Sequence, residues 1–131
     1  MNEAEFLEKA NRCLQTASIN LEADDPDAAC NRAYYAMHNA ARAALFAVGQ
    51  RELSRAKTHS GVISAFSEHL VKTGQIDQAY SRSLAIESNR RQLSDYEGDT
   101  ISPEAAKESI INATAFVAAI TCWIETQQQQ Q

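Results

Sequence analysis

The sequence predicts an all-α protein, an up-and-down bundle of four long helices with a shorter fifth helix. Ala and Gln are abundant, and only four Gly and two Pro interrupt the 131 residues, a composition that favours helix over strand. Apolar residues also recur three and four positions apart in successive segments, as they do on the buried face of a helix. Short polar connections separate these segments, and such connections are typical of antiparallel neighbours in a bundle.

The first helix is predicted from Glu3 to Leu21. Asn2 precedes it, and Glu5 completes the pattern of a capping box, in which each side chain bonds the other residue's backbone N–H. The helix would turn inward its apolar residues Phe6, Ala10, Cys13, Leu14, Ala17 and Leu21.

The second helix is predicted from Pro26 to Val48. Asp25 has the side chain of an N-cap, Pro26 suits the first helical position, and Gly49 suits the turn that follows. Its inward stripe would contain Cys30, Tyr34, Met37, Ala41, Leu45 and Val48.

Three further helices follow in the second half of the chain. Gly74 ends the first of them, a loop is expected over Ser94–Ile101, and Ser102 followed by Pro is a clear helix start. Residues 1–126 are interpreted as a single helical domain, and the glutamine run 127–131 is expected to be a disordered tail. The predicted ranges of the three helices are Thr58–Lys72, Ile76–Leu93 and Pro103–Thr126.

The net charge of −5 is unevenly distributed. Residues 1–27 carry seven acidic and two basic side chains, residues 28–94 carry four and nine, and residues 95–131 carry six and one. The acidic total argues against a general nucleic-acid binder, but the basic middle can steer an anion towards the second helix. Ordinary solvated charge on helix surfaces is the alternative interpretation.

Cys13, Cys30 and Cys122 are isolated, and each lies inside a predicted helix. We therefore expect buried, reduced thiols and a cytoplasmic location. The N-terminus lacks the pattern of a signal peptide, and no apolar run approaches the ~20 residues of a membrane span, so no membrane association is expected. The cysteines and histidines do not have the spacing of metal ligands, so we expect neither a metal nor a cofactor.

One flank of the second helix is polar and aromatic. Asn31, Tyr35, His38 and Arg42 fall within about 60° of one another beside the apolar stripe. This flank is too aromatic for a purely solvated surface. We predict a two-fold homodimer that uses this helix.

Three pieces of the sequence together resemble the HEPN domain family. They are NRAYYAMHNAAR in the second helix, KTHSGVISAF at the start of the third and RRQLSDYEGDTISPEAA before the fifth. The resemblance implies a small helical bundle, usually homodimeric, and in many members a metal-independent ribonuclease with an Arg and a His four to six residues apart. Bacterial members are often paired with a small nucleotidyltransferase, as toxin and antitoxin, so such an enzyme is a candidate partner.

Carried over to this chain, the resemblance places the catalytic pair at Arg32 and His38. Cleavage of RNA by its 2′-hydroxyl needs a group that moves protons, and an unperturbed His does so with a pKa of about 6.5. A guanidinium can stabilise the charge that develops on the phosphate. Asn39 is the alternative position for the second group, because the resemblance implies that similar members often carry His there. Helical geometry agrees, since Asn39 lies about 20° from Arg32 whereas His38 lies about 120° away.

The candidate residues for substrate or anion binding surround this pair. Lys57 and His59 stand at a predicted helix start, where free N–H groups favour phosphate. Tyr96 either ties its loop to the bundle or contacts substrate. For each candidate, capping, packing or solvent exposure is the alternative role. The full set is Asn31, Tyr35, Asn39, Lys57, His59 and Tyr96.

The function we predict is cleavage or binding of RNA within a toxin–antitoxin or related defence module. The alternative is a non-catalytic HEPN protein that binds a nucleotidyltransferase, a nucleotide or both. A third interpretation is a dimeric scaffold in which the polar flank of the second helix only packs.

Overall fold

The computed structural model describes residues 1–97 and 100–130, except for the side chains of residues 95–97. Over these ranges the protein is helical without a strand, which confirms the predicted all-α fold class. Four of the helices described there are long and one is short, as predicted. They are α1 (Glu3–Glu22), α2 (Pro26–Ala47), α3 (His59–Phe66), α4 (Gln78–Glu97) and α5 (Pro103–Gln129).

The predicted starts of α1, α2 and α5 are confirmed. Asn2 and Glu5 form the capping box, with the Glu5 backbone N–H donating to the Asn2 side chain at 2.9 Å. The Asp25 carboxylate accepts from the Ala28 backbone N–H at 3.2 Å, and the Ser102 hydroxyl accepts in the same way at the start of α5. Each cap satisfies one backbone donor that the helix itself cannot pair.

Two glycines end helical segments as expected. Gly49 follows α2 with a φ of +85°, and Gly74 has a φ of +81°. Only glycine adopts this left-handed backbone without steric cost, so both positions close a helix. The helix that Gly74 closes is α3, which continues directly into a π-helical turn at Ser67–Val71.

Three predicted boundaries are wrong by two or more residues. α4 begins at Gln78 rather than at Ile76. α4 continues through residues 94–97, which were expected to be loop, and α5 continues to Gln129 rather than Thr126. At the end of α4, the Asp27 carboxylate accepts from the Ser94 hydroxyl at 3.2 Å and from the Ile101 backbone N–H at 2.8 Å. This contact from α2 holds the segment in a way that local sequence does not reveal. In the tail, Gln is a good helix former and extends a helix that is already nucleated.

α2 is the central helix and packs against each of the other four. Its predicted stripe is buried from Cys30 to Leu45, while Val48 is half-buried. Small side chains let neighbouring helices approach α2 closely, so it is covered on more sides than a single stripe predicts. The alanines buried outside the stripe are Ala29, Ala33, Ala36, Ala40, Ala43 and Ala44.

A buried polar network joins α4 to α5. Glu87 is 1% exposed, and its two carboxylate oxygens accept from the Ser109 hydroxyl at 2.6 Å and the Asn112 amide at 3.0 Å. Arg90 pairs with the same carboxylate at 3.3 Å and donates to Ser109 at 2.8 Å. Both oxygens are therefore satisfied, which a buried carboxylate requires. The network fixes α4 against α5.

Two expectations about α5 are wrong, one on the burial of Cys122 and one on the length of its apolar segment. Cys122 is exposed, whereas Cys13 and Cys30 are buried, so the expectation of three buried thiols is wrong for Cys122. Among the described helices, α5 alone has the length and composition of a membrane span, with a mean hydropathy of 1.3. The expectation that no apolar segment reaches that length does not hold for α5. The core helix of a bundle can have the same length and composition. The residues that α5 buries are Ala106, Ser109, Ala113, Phe116, Val117, Ile120 and Ile124.

Candidate functional site

A cleft of about 380 Å³ lies between α1, the polar flank of α2 and the segment that begins α3. Asn31 is beside this cleft and lines an adjoining groove together with Arg32. Tyr96 belongs to α4, but its side chain is outside the described part of the structure. The other predicted site residues line the cleft itself: Arg32, Tyr35, His38, Asn39, Lys57 and His59.

The two alternatives for the second catalytic position, His38 and Asn39, both line the cleft. Each is 3% exposed, which makes them the most buried residues of its described lining. The angle between His38 and Arg32 on α2 therefore does not exclude His38 as the second catalytic residue. The cleft extends far enough around the helix for both side chains to line it. The Asn39 amide donates to the Tyr35 backbone carbonyl at 2.9 Å, so this side chain is turned back onto its own helix.

Two imidazoles meet in the cleft. The rings of His38 and His59 lie 4.6 Å apart between centroids, although the residues belong to different helices. The hydroxyl of Tyr34 lies 3.1 Å from Nδ1 of His59. Tyr34 is fully buried, as predicted for a core residue. Its ring is thus part of the core, while its hydroxyl contacts an imidazole that lines the cleft.

The start of α3 places His59 by local interactions. Thr58 is the N-cap, and its hydroxyl accepts from the Gly61 backbone N–H at 3.0 Å. A Cβ atom at Gly61 would lie 2.8 Å from that hydroxyl oxygen. Glycine at this position therefore permits the cap that fixes the first turn of α3 and the direction of His59.

Arg32 is held over an aromatic ring. Its guanidinium carbon lies 4.7 Å from the centroid of the Tyr35 ring, and Nη2 donates to the Asn31 side chain at 3.0 Å. The Tyr35 ring in turn meets the rings of His59 and His38 edge-on, at 5.4 and 6.2 Å. Tyr35 therefore connects the guanidinium with the two imidazoles, and stacking of this kind orients an Arg side chain.

Arg42 connects α2 with the segment before α3 at the cleft. It donates from Nη2 to the backbone carbonyl of Ala56 at 3.2 Å. This bond ties α2 to the connection before α3. Lys57 is the next residue along that connection, and it also lines the cleft.

The electrostatics of the cleft keep both imidazoles neutral at pH 7. Burial is the main cause that lowers the pKa of His38 to about 3, with the charge of Arg42 next. Burial also lowers the pKa of His59, followed by the charges of Arg91 and Arg42. The pKa of His38 therefore lies well below the 6.5 of an unperturbed imidazole when the cleft holds no ligand. A bound anion would favour the protonated forms, because an opposite charge raises the pKa of a histidine.

The described lining contains no acidic side chain. Its basic side chains are Lys9, Arg32, Arg42 and Lys57. Low-dielectric walls and charges of one sign concentrate an anion in such a cleft. Among the described residues, no group of three His, Cys, Asp or Glu side chains comes together as metal ligands do. The arrangement suits a phosphate group next to two neutral imidazoles.

Sequence reasoning missed four contributors to this site. Lys9 and Cys13 reach the cleft from α1, and Arg42 lines it although it was not among the candidate binding residues. Tyr34 was interpreted as core alone. The helical column on α2 contained a signal for Arg42. The other contributions depend on how helices pack against α2, and helical periodicity does not encode that packing.

The chain matches the model of the HEPN domain over residues 4–123. It is 34% identical to a UPF0332 protein of Thermotoga maritima, over 95% of this chain and 96% of that protein. A UPF0332 protein of Gloeobacter violaceus is 36% identical over 73% of each chain. A protein of Methanocaldococcus jannaschii named "Putative toxin" is 33% identical, over 88% of this chain and 83% of its own length.

Proposed function

Because the chain belongs to the HEPN domain family, we propose that it is a toxin-like protein that binds RNA in the cleft and cleaves it without a metal ion. The observation that carries this proposal is the described lining of the cleft. It combines two imidazoles with basic side chains from three parts of the chain. The name of the Methanocaldococcus jannaschii relative supports the toxin-like role.

Single-stranded RNA suits this cleft as a ligand. Its phosphates supply the negative charge that the lining attracts, and its 2′-hydroxyl supplies a nucleophile next to each phosphorus atom. Lys57 and Lys9 lie at the cleft as flexible charges, whereas Arg32 is oriented by its stacking on Tyr35. We assign the scissile phosphate to Arg32, because a planar guanidinium can donate to two phosphate oxygens at once.

His38 is the proposed base. Its imidazole is neutral at pH 7 because burial lowers its pKa to about 3, and the charge of a bound phosphate would raise that pKa and make the ring a stronger base. The proton would come from the 2′-hydroxyl as that oxygen attacks phosphorus. The products are a 2′,3′-cyclic phosphate and a free 5′-hydroxyl.

A homodimer through α2 completes the proposal. His38 is buried, so the polar flank meets the surface mainly through Asn31, Arg32, Tyr35 and Arg42, which are half-buried. A two-fold axis beside this flank would bring together two copies of the cleft and its basic residues. Light scattering at micromolar concentration should give the mass of two chains.

The proposal is tested with purified protein, single-stranded RNA and excess EDTA. Wild-type protein should cut the RNA and leave single-stranded DNA of the same sequence intact, because DNA lacks the 2′-hydroxyl. His38→Ala should lower the rate by roughly 10²–10⁴, the usual effect of removing a positioned base. Arg32→Lys should also impair cleavage, because an ammonium keeps the positive charge but lacks the planar pair of N–H donors of a guanidinium.

Two control variants match these changes outside the described lining of the cleft. His69→Ala and Arg82→Lys remove the same chemical groups from other parts of the surface, and both should cut at the wild-type rate. Wild-type protein that leaves RNA intact contradicts the proposal. Normal cleavage by His38→Ala together with loss in Asn39→Ala would move the catalytic position to Asn39.

The alternative function is binding without cleavage, to a nucleotidyltransferase, a nucleotide or both. The observation that favours it is that both imidazoles are neutral without a ligand, so the free cleft holds no protonated His to assist a leaving group. Calorimetric titration with a nucleoside monophosphate and with a small nucleotidyltransferase separates the two functions. Tight binding of either by a protein that never cuts RNA supports the alternative.

A further inference from the structure

His59 is the second imidazole of the cleft, and it comes from a different helix than His38. The two rings are 4.6 Å apart between centroids, and both side chains line the same cavity. Cleavage of a phosphodiester by its 2′-hydroxyl needs two proton transfers. One proton leaves the nucleophile, and one arrives on the departing 5′-oxygen.

We propose that His59 supplies the second transfer, donating a proton to the 5′-oxygen leaving group while His38 accepts the proton of the 2′-hydroxyl. This inference rests on the proposed ribonuclease function. It gives one subunit both proton transfers of the acid–base chemistry, with Arg32 as the phosphate contact.

The bonds and protons balance. The O2′–H bond breaks and its proton passes to His38, while O2′ forms a bond to phosphorus. The P–O5′ bond breaks, and its electron pair stays on O5′, which takes a proton from the His59 imidazolium. His38 ends protonated and His59 neutral, and exchange with solvent restores the starting forms.

The His38 and His59 rings have different surroundings, as a base and an acid in one site require. His38 is 3% exposed, and Nδ1 is buried without a hydrogen-bond partner among the described residues. A ring in that position is neutral before substrate binds, which is the form that accepts a proton. His59 is half-buried and lies at the first turn of α3. Two titratable groups in different environments are the usual arrangement of an acid and a base in one site.

The charged groups that face His59 come from two helices. Arg42 of α2 and Arg91 of α4 both disfavour its protonated form. A phosphate in the cleft brings negative charge against the same ring and offsets those two cations. Protonation of His59 is thereby coupled to the presence of substrate, because no acidic side chain of the described lining provides the counter-charge that a bound phosphate would bring.

Tyr34 positions His59 for this role. Its hydroxyl lies 3.1 Å from Nδ1, so Nε2 is the nitrogen that remains for the leaving group. A hydroxyl can donate to the neutral ring or accept from the imidazolium, so the contact survives proton transfer.

The test compares two substrates that differ only in the leaving group. One is the dinucleotide UpA, whose 5′-oxygen needs a proton. The other is uridine 3′-(4-nitrophenyl phosphate), whose nitrophenolate leaves without one. His59→Gln should lower kcat on UpA by roughly 10²–10⁴ and on the nitrophenyl ester by less than about tenfold. His38→Ala should lower kcat on both substrates, because both need the 2′-hydroxyl deprotonated.

The outcomes separate this inference from the function on which it rests. If wild-type protein cuts UpA and His59→Gln loses the same factor on both substrates, His59 is not the acid, although the ribonuclease proposal stands. A change confined to KM makes His59 a phosphate contact and also overturns the inference. Wild-type protein that cuts neither substrate overturns both. His59→Asn, assayed beside a thermal melt of each variant, provides a second substitution in case the first fails to fold.

Discussion

The hydroxyl of Tyr34 lies 3.1 Å from Nδ1 of His59, which joins the core of the bundle to its cleft. Tyr34 is fully buried in α2, and His59 is the first residue of α3. The same side chain thus packs the core and orients an imidazole beside His38. The packing that stabilises the fold also sets the geometry of the candidate site.

Burial of Phe66 should make a large contribution to stability. Phe66 is fully buried in α3, and its ring lies 5.5 Å from that of Phe116 in α5. Phe66→Ala should lower the free energy of unfolding by about 3–5 kcal/mol, because the cavity adds to the lost transfer energy. Urea titration measures this difference. The exposed Ile111 is the control, and Ile111→Ala should change stability by less than about 0.5 kcal/mol.

Removal of the Glu87 carboxylate should lower the free energy of unfolding more than removal of a surface carboxylate. Glu87→Ala leaves Ser109, Asn112 and Arg90 without the acceptor that they share, and a broken buried pair costs about 3–5 kcal/mol. Glu8→Ala breaks only an exposed pair with Arg12, which is worth about 0–1 kcal/mol. Equal losses in the two variants, measured by urea unfolding, would show that the network between α4 and α5 is not stabilising.

Acid should destabilise the protein through His38. The pKa of His38 is about 3 in the folded protein and 6.5 in the unfolded chain. Below pH 6.5 the unfolded chain therefore binds a proton on His38 that the folded protein does not bind. The free energy of unfolding therefore falls as the pH drops towards 3, by up to about 1.4 kcal/mol per pH unit. Burial is the main cause, and the charges facing the ring come from Arg42, His59, Arg91 and Lys9.

Urea unfolding of wild type and His38→Gln between about pH 7 and pH 5 isolates this contribution. Both proteins retain His59, whose pKa is also lowered, so the difference between their slopes belongs to His38 and its coupling to His59. The wild type should lose more stability than His38→Gln. Parallel slopes would contradict the proposed environment of His38.

Lys9 should strengthen RNA binding through its charge alone. It lines the cleft from α1 and is exposed. Lys9→Ala should weaken binding of all single strands alike and reduce the slope of log K against log salt by about 0.7. Fluorescence anisotropy at several salt concentrations gives the slope. An unchanged slope would place the RNA elsewhere, and Lys72→Ala, outside the described lining, is the matched control.

Local features of the chain were predictable, and contacts between helices were not. The caps at Asn2, Asp25 and Ser102 use side chains that bond a backbone within three residues, so the sequence contains the whole interaction. The extent of α4 depends instead on Asp27, a residue of another helix. The comparisons confirm the family that the three motifs indicated.

The candidate site shows the same division. Helical periodicity fixes which residues share a face, and three residues of the predicted column on α2, Tyr35, His38 and Arg42, line the cleft. The contact between Tyr34 and His59 requires the distance between α2 and α3, and the low pKa of His38 requires its burial among several cations. Neither property is encoded in the spacing of residues along one helix.

The central claim is that the cleft directs a ribose 2′-hydroxyl against the neighbouring phosphate. The most direct measurement uses a DNA strand that contains one ribonucleotide, incubated with the wild-type protein in EDTA, with mass spectrometry of the fragments. The account predicts a single cut directly 3′ of the ribonucleotide, a 2′,3′-cyclic phosphate on one fragment and no cut after 2′-O-methylation. An intact strand, or a cut at the deoxyribose positions, would contradict it.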